Sequence, residues 1–94
     1  MATASVVFGK LKGIQPALGL GFVSEEVASA GTSAACPPAF NHCVVTAIGG
    51  NMWVALSTGT PDANTATARL PLTANIPVSF SVIPGTQVSV LDRT

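Results

Sequence analysis

The sequence predicts an all-β domain, a small antiparallel β-sandwich or barrel of jelly-roll-like type with an extended N-terminal arm. Three observations carry this reading. In "VSFSV" (78–82), Val78, Phe80 and Val82 point one way while Ser79 and Ser81 point the other, the alternation of a half-buried strand. Short runs rich in valine recur between turns built on glycine and proline, as in small all-β domains. No segment carries the apolar period of a long helix,.

The elements follow in chain order. Ser5 to Phe8 reads as a strand, and the stretch after it, to residue 22, as the arm. Gly9, Gly13, Gly19 and Gly21 make that arm costly to order, while Ile14, Leu18 and Leu20 give it apolar groups to offer a neighbour,. The division is therefore 1–22 for the N-terminal strand and arm and 23–94 for the sandwich, and a chain lacking residues 1–20 is expected to fold. In "FVSEEVASA" (22–30) a helix could carry Val23, Val27 and Ala30, but the β-branched residues and the flanking Gly21 and Gly31 favour a strand. "CVVTAI" (43–48) and "MWVAL" (52–56) flank Gly49-Gly50-Asn51, which predicts a hairpin,. Met52, Val54 and Leu56 share one face and Trp53 and Ala55 the other, so this strand should be covered on both sides.

Residues 58–72, "TGTPDANTATARLPL", open like a helix with Thr60 as N-cap, Pro61 behind it and Asp62 next,. Ala63, Ala66 and Leu70 are too thin a stripe to sustain one,. Residues 58–68 are thus read as a long crossover loop between sheets. The runs 78–82 and 87–91 are expected to pair as a terminal hairpin, turning at Pro84-Gly85 with the glycine at positive φ,.

Composition bounds the function. The 94 residues suffice for one domain, near the lower end of what buries an adequate core alone,. Hydrophobic residues make up 48% and charged residues 9%, with formal net charge zero, against about 25% charged in ordinary soluble chains. So little charge points to self-association or a permanent place on a larger assembly. Lys10, Lys12, Arg69 and Arg93 are scattered and balanced by four acidic residues, so direct nucleic-acid binding, which rests on basic excess, is not expected. No apolar run approaches the ~20 residues of a membrane-spanning helix. "MATASVVFGK" lacks the basic start and long apolar stretch of a signal peptide,. Synthesis and retention in a cytoplasm, until assembly elsewhere, are expected.

Candidate chemistry is sparse. Cys36, His42 and Cys43, in "CPPAFNHC", are the one cluster of potential metal ligands. Their spacing is wider than the zinc pattern, and no further Cys or His exists to complete a site,. No metal or cofactor is therefore expected. Free, partly buried thiols are the favoured state, and a disulfide around Pro37-Pro38 is sterically conceivable. His42 has no evident acid–base partner. Glu25 and Glu26 project to opposite faces of a strand. Asp62 suits a turn cap, and "LGLGF" lacks the helix start of a phosphate cradle. Trp53 is read as filling the core, with an interface anchor or a sugar platform as its other roles. No catalytic residues are assigned, and an enzyme is not expected.

The order of pieces in the second half carries a resemblance. "WVALSTGTP" is followed by an Ala/Thr-rich connection, then Leu70-Pro71, then "IPVSFSVIPGTQVSVL". This resembles small structural proteins of tailed-phage virions, which share a strand ending in Gly-x-x-Pro, a Thr/Ala-rich loop, a Leu-Pro pair and a strand–Pro-Gly–strand hairpin. Gly59 and Pro61 have one residue between them where two are more usual, whereas Leu70-Pro71 and Phe80 to Val90 match better. The likeness spans residues 23–91 and leaves the arm unexplained. It implies a capsid decoration (cement) protein, located on the virion and binding the major capsid protein or another virion protein as a homo-oligomer, a trimer by analogy with local threefold positions. The competing expectation is a tail or head-fibre accessory module that binds carbohydrate or a host receptor.

Overall fold

The structure, a computed structural model, describes residues 2–9, 11–12, 15–16, 23–38, 40–65 and 69–93. The strands are β1 (Thr3–Gly9), β2 (Leu11–Lys12), β3 (Gln15–Pro16), β4 (Val23–Ala28), β5 (Gly31–Thr32), β6 (His42–Ile48), β7 (Met52–Ser57), β8 (Leu70–Leu72), β9 (Val78–Ser81) and β10 (Gln87–Asp92). Among the described residues there is no helix. Two four-stranded antiparallel sheets form the sandwich: sheet 1 in the order β4-β1-β6-β9 and sheet 2 in the order β5-β10-β7-β8. The short β2-β3 pair stands apart from both.

Alternation builds the core from both sheets. Ala4, Val6 and Phe8 of β1 and Cys43, Val45 and Ala47 of β6 are buried from one side; Met52 and Val54 of β7, Leu72 of β8 and Val88 and Val90 of β10 are buried from the other. Each large aliphatic or aromatic chain so enclosed contributes about 1.5–3 kcal/mol. The core is small-chained, as the composition implies.

Strand β1 corrects the reading of the N-terminal region. It pairs with β4 along Thr3–Phe8 and with β6 along Thr3–Gly9, which makes it an inner strand of sheet 1. Residues 3–9 therefore belong to the sandwich and not to an arm outside it. The readings on Gly13, Ile14, Leu18, Gly19, Leu20, Gly21 and Ala66 lie outside the described residues.

Both predicted hairpins are instead crossings between sheets. β6 and β7 lie in different sheets, joined through Gly49 at φ 84°. β9 pairs with β6, and β10 pairs with β7 and β5, so 78–81 and 87–92 do not pair with each other. The Pro84-Gly85 turn exists: Thr86 donates its N–H to Ile83 O at 3.1 Å, and its hydroxyl donates to the same oxygen at 2.8 Å. Gly85 has the expected positive φ, 92°, with open space where a Cβ would stand. Gly85→Val is expected to cost about 1–2 kcal/mol from backbone conformation alone. Gly85→Asn should recover part of that loss in thermal melts, since Asn tolerates positive φ.

Residues 58–69 also differ from expectation. They join β7 to β8, adjacent strands of one sheet, rather than crossing between sheets. The chain folds back over the outer face of sheet 2, burying Pro61 and Ala63. Ala63 donates its N–H to Ser89 Oγ at 3.1 Å. This loop covers the second face of β7, where Ala55 is 4% exposed. The Ala-rich composition thus has a use at Ala63, since a methyl group lies flat against a strand where a longer side chain would hold the loop away.

Candidate functional site

Strand geometry divides the Cys36–His42–Cys43 cluster. Neighbouring residues of β6 face opposite ways, so Cys43 enters the core while His42 lies on the other face of sheet 1. Cys36 reaches the core from the segment that runs beside β10, where its N–H donates to Thr86 O at 2.7 Å. Both cysteines are free and buried. Burial, and secondarily the neighbouring Cys36, push the Cys43 thiol up to about 12; burial also raises Cys36. A thiol raised as far as Cys43 carries almost no thiolate at neutral pH and is a poor nucleophile,. Among the described residues, no three Cys, His, Asp or Glu side chains converge on a metal position. His42 Nδ1 is buried without a hydrogen-bond partner.

The carboxylates act locally. Glu25 Oε1 accepts the N–H of Ala34 at 2.9 Å and so bridges from sheet 1 to the β5 segment. Glu26 is exposed on the outer face of β4. Asp62 Oδ1 accepts the N–H of Asn64 at 3.0 Å, the turn-capping role expected of it,.

Trp53 does not fill the core. Met52 and Val54 take the inner face of β7, which turns the half-buried indole outward. The Arg69 guanidinium lies 3.9 Å from the ring centroid and that of Arg93 5.4 Å from it. Arg93 is pinned by donation from Nη2 to Leu72 O at 3.0 Å, and Arg69 Nη1 reaches Ala63 O at 3.5 Å. Neither arginine faces a carboxylate among the described residues. Arg93 escaped sequence reasoning; the signal for it is cross-strand register. Leu91 stands opposite Trp53 and the Arg93 N–H donates to Asn51 O, so Arg93 falls on the indole's face at a diagonal position,. Arg69→Ala is expected to raise acrylamide quenching of Trp53 fluorescence and to cost about 1 kcal/mol in chemical melts.

On the same outer face, an open cleft of about 320 Å³ lies between the 61–64 loop and strands β5 and β10. Thr32, Pro61, Asp62, Asn64 and Ser89 line it, with Asp62 the one titratable side chain among its walls. Sheet 2 therefore presents a carboxylate beside β5 and two guanidinium groups beside β7 and β8.

Fold and surface together define a small antiparallel β-sandwich whose polarity lies in the placement of a few charges. Comparison with protein-family models, with curated proteins and with solved structures finds no significant match.

Proposed function

We propose that this chain is a structural subunit of a tailed-phage virion, a decoration (cement) protein that binds the capsid lattice as a homo-oligomer, with a trimer suiting local threefold positions. The observation that carries this reading is the surface. Val23, Ile48, Leu70, Ile76 and Ile83 are between 44% and 62% exposed on a chain with 9% charged residues. Such side chains gain by burial against a neighbour, and weak contacts repeated over a lattice become durable. The resemblance of residues 23–91 to small phage structural proteins supports the same reading. Carbohydrate stacking on Trp53 has less to recommend it, because Arg69 already occupies a position over the ring. The test is co-sedimentation of the purified protein with emptied phage heads. Saturable binding is expected; failure to bind, from a protein that also stays monomeric at high concentration, would overturn the proposal.

A further inference from the structure

We infer that copies of this chain associate head to tail, with the β4/β5 side of one copy against the β8/β9 side of the next. This rests on the homo-oligomer reading above and assigns its faces.

The first argument is charge complementarity. Asp62 and the Arg69–Arg93 pair lie on the same outer face of sheet 2, Asp62 in the cleft lined by β5 and β10 and the arginines over Trp53 of β7, with Arg69 Nη1 reaching back to Ala63 O at 3.5 Å. Within one copy Arg69 and Arg93 meet the indole and backbone oxygens only, among the described residues. Setting copies side by side with strands aligned brings the arginines of one sheet 2 to the Asp62 cleft of the next. Glu25 and Glu26 add negative charge to that same side through β4. A twofold contact of either side with itself would set like charges together, so charge favours a heterologous interface, which closes into a ring where the rotation between copies permits.

The second argument is apolar. Leu70 pairs with Val54 and Val23 with Phe8, so both belong to core-facing rows, yet they are 51% and 45% exposed because each stands on an edge strand. Ile76, between β8 and β9, is 54% exposed. Each side of the sandwich thus leaves an apolar side chain open where the core reaches the edge. Pro71, which has no N–H, and the β4 carboxylates hinder a continuous backbone ladder across the contact,. The contact is therefore made by side chains, with Leu70 and Ile76 supplying burial and the charges setting register.

Sedimentation velocity on the full chain tests this, with wild type compared with Asp62→Lys, Arg69→Glu and their equimolar mixture. Wild type is expected to form a closed oligomer that weakens with added salt. Each charge reversal should raise the dissociation constant at least tenfold. Mixing the two should restore association between unlike copies, because an Asp62→Lys copy and an Arg69→Glu copy present complementary faces in either order; a ring of three keeps one like-charged contact, so recovery there is partial. Asp62→Asn keeps the acceptor for the Asn64 N–H while removing the charge, and Leu70→Ser leaves the Trp53 stack in place; both should also weaken association, and thermal melts show that each variant is folded. Wild-type-like association of all variants, or a mixture that fails to recover, overturns the face assignment while the oligomer reading stands. A monomeric wild type overturns both.

Discussion

A chain lacking residues 1–9 is expected not to fold: far-UV circular dichroism should show disordered chain and chemical denaturation no cooperative transition. Strand β1 sits between β4 and β6, so its loss removes both ladders and leaves sheet 1 in two pieces. Ala4, Val6 and Phe8 are at most 2% exposed. Phe8→Ala alone should cost about 3–5 kcal/mol through lost burial and the cavity left behind. A domain of this length has only roughly 5–14 kcal/mol in total. The truncated chain remaining folded would mean that β4 and β6 can pair without β1.

Stability should also fall in alkali, and Cys43 should be a cause of it. Its thiol is raised from the 9.0 of an exposed group to about 12, so the folded state holds its proton more tightly than the unfolded state does. Below pH 9 both states are protonated and the contribution is complete. Above it the unfolded chain ionises first, and the contribution falls until the folded thiol also ionises near pH 12,. The full span is on the order of 4 kcal/mol, of which about 2 kcal/mol is lost by pH 10.5. Urea titrations of wild type between pH 8 and 10.5 should show this decline. Cys43→Ala, less stable at pH 8, should show a much shallower one. Parallel slopes would mean that the thiol is more solvated than its burial implies.

The strands were legible in the sequence because alternation is local, whereas their partners depend on parity across turns. A two-residue hairpin at Pro84-Gly85 would set Val82 opposite Gln87 and Phe80 opposite Ser89,. The apolar sets of the two runs would then face opposite ways, and one of them would lie in water. Passing to the other sheet lets both face inward. The same parity acts at 49–51, where a hairpin would place Ala47 beside Trp53 and turn Met52 and Val54 away from the core. The sequence thus already disfavoured both hairpins, to a reader who compared faces and not only turn residues. Trp53 yields to the same argument: once Met52 and Val54 are inside, the indole must be outside.

Other features had no local signal. The fold-back of residues 58–65 depends on Ser89 receiving the Ala63 N–H from 26 positions away. The Arg69–Trp53–Arg93 stack joins three separate segments through the β7–β8 and β7–β10 registers. The inner position of β1 requires knowing that β6 will lie beside it. The Asp62 turn cap and the opposite facing of Glu25 and Glu26 were legible because they depend on near neighbours in the chain, whereas the Glu25 bond to the Ala34 N–H was not.

The repeated passage of the chain from one sheet to the other has a consequence for how the protein is made. Neither of the predicted hairpins can seed a sheet, and the contacts that close the sandwich join distant segments, such as the Ala2 N–H with Asp92 Oδ1 across 90 positions. Loop closure must therefore precede most of the stabilising contacts, which puts folding in the slow, milliseconds-to-seconds range of non-local β topologies. Until β10 docks, β7 lacks that partner and Val54 lacks its neighbour Val90. Newly synthesised chains are then exposed to mutual aggregation. Stopped-flow refolding should accordingly lose yield as concentration rises, with the docking of β10 onto β7 as the step that completes sheet 2.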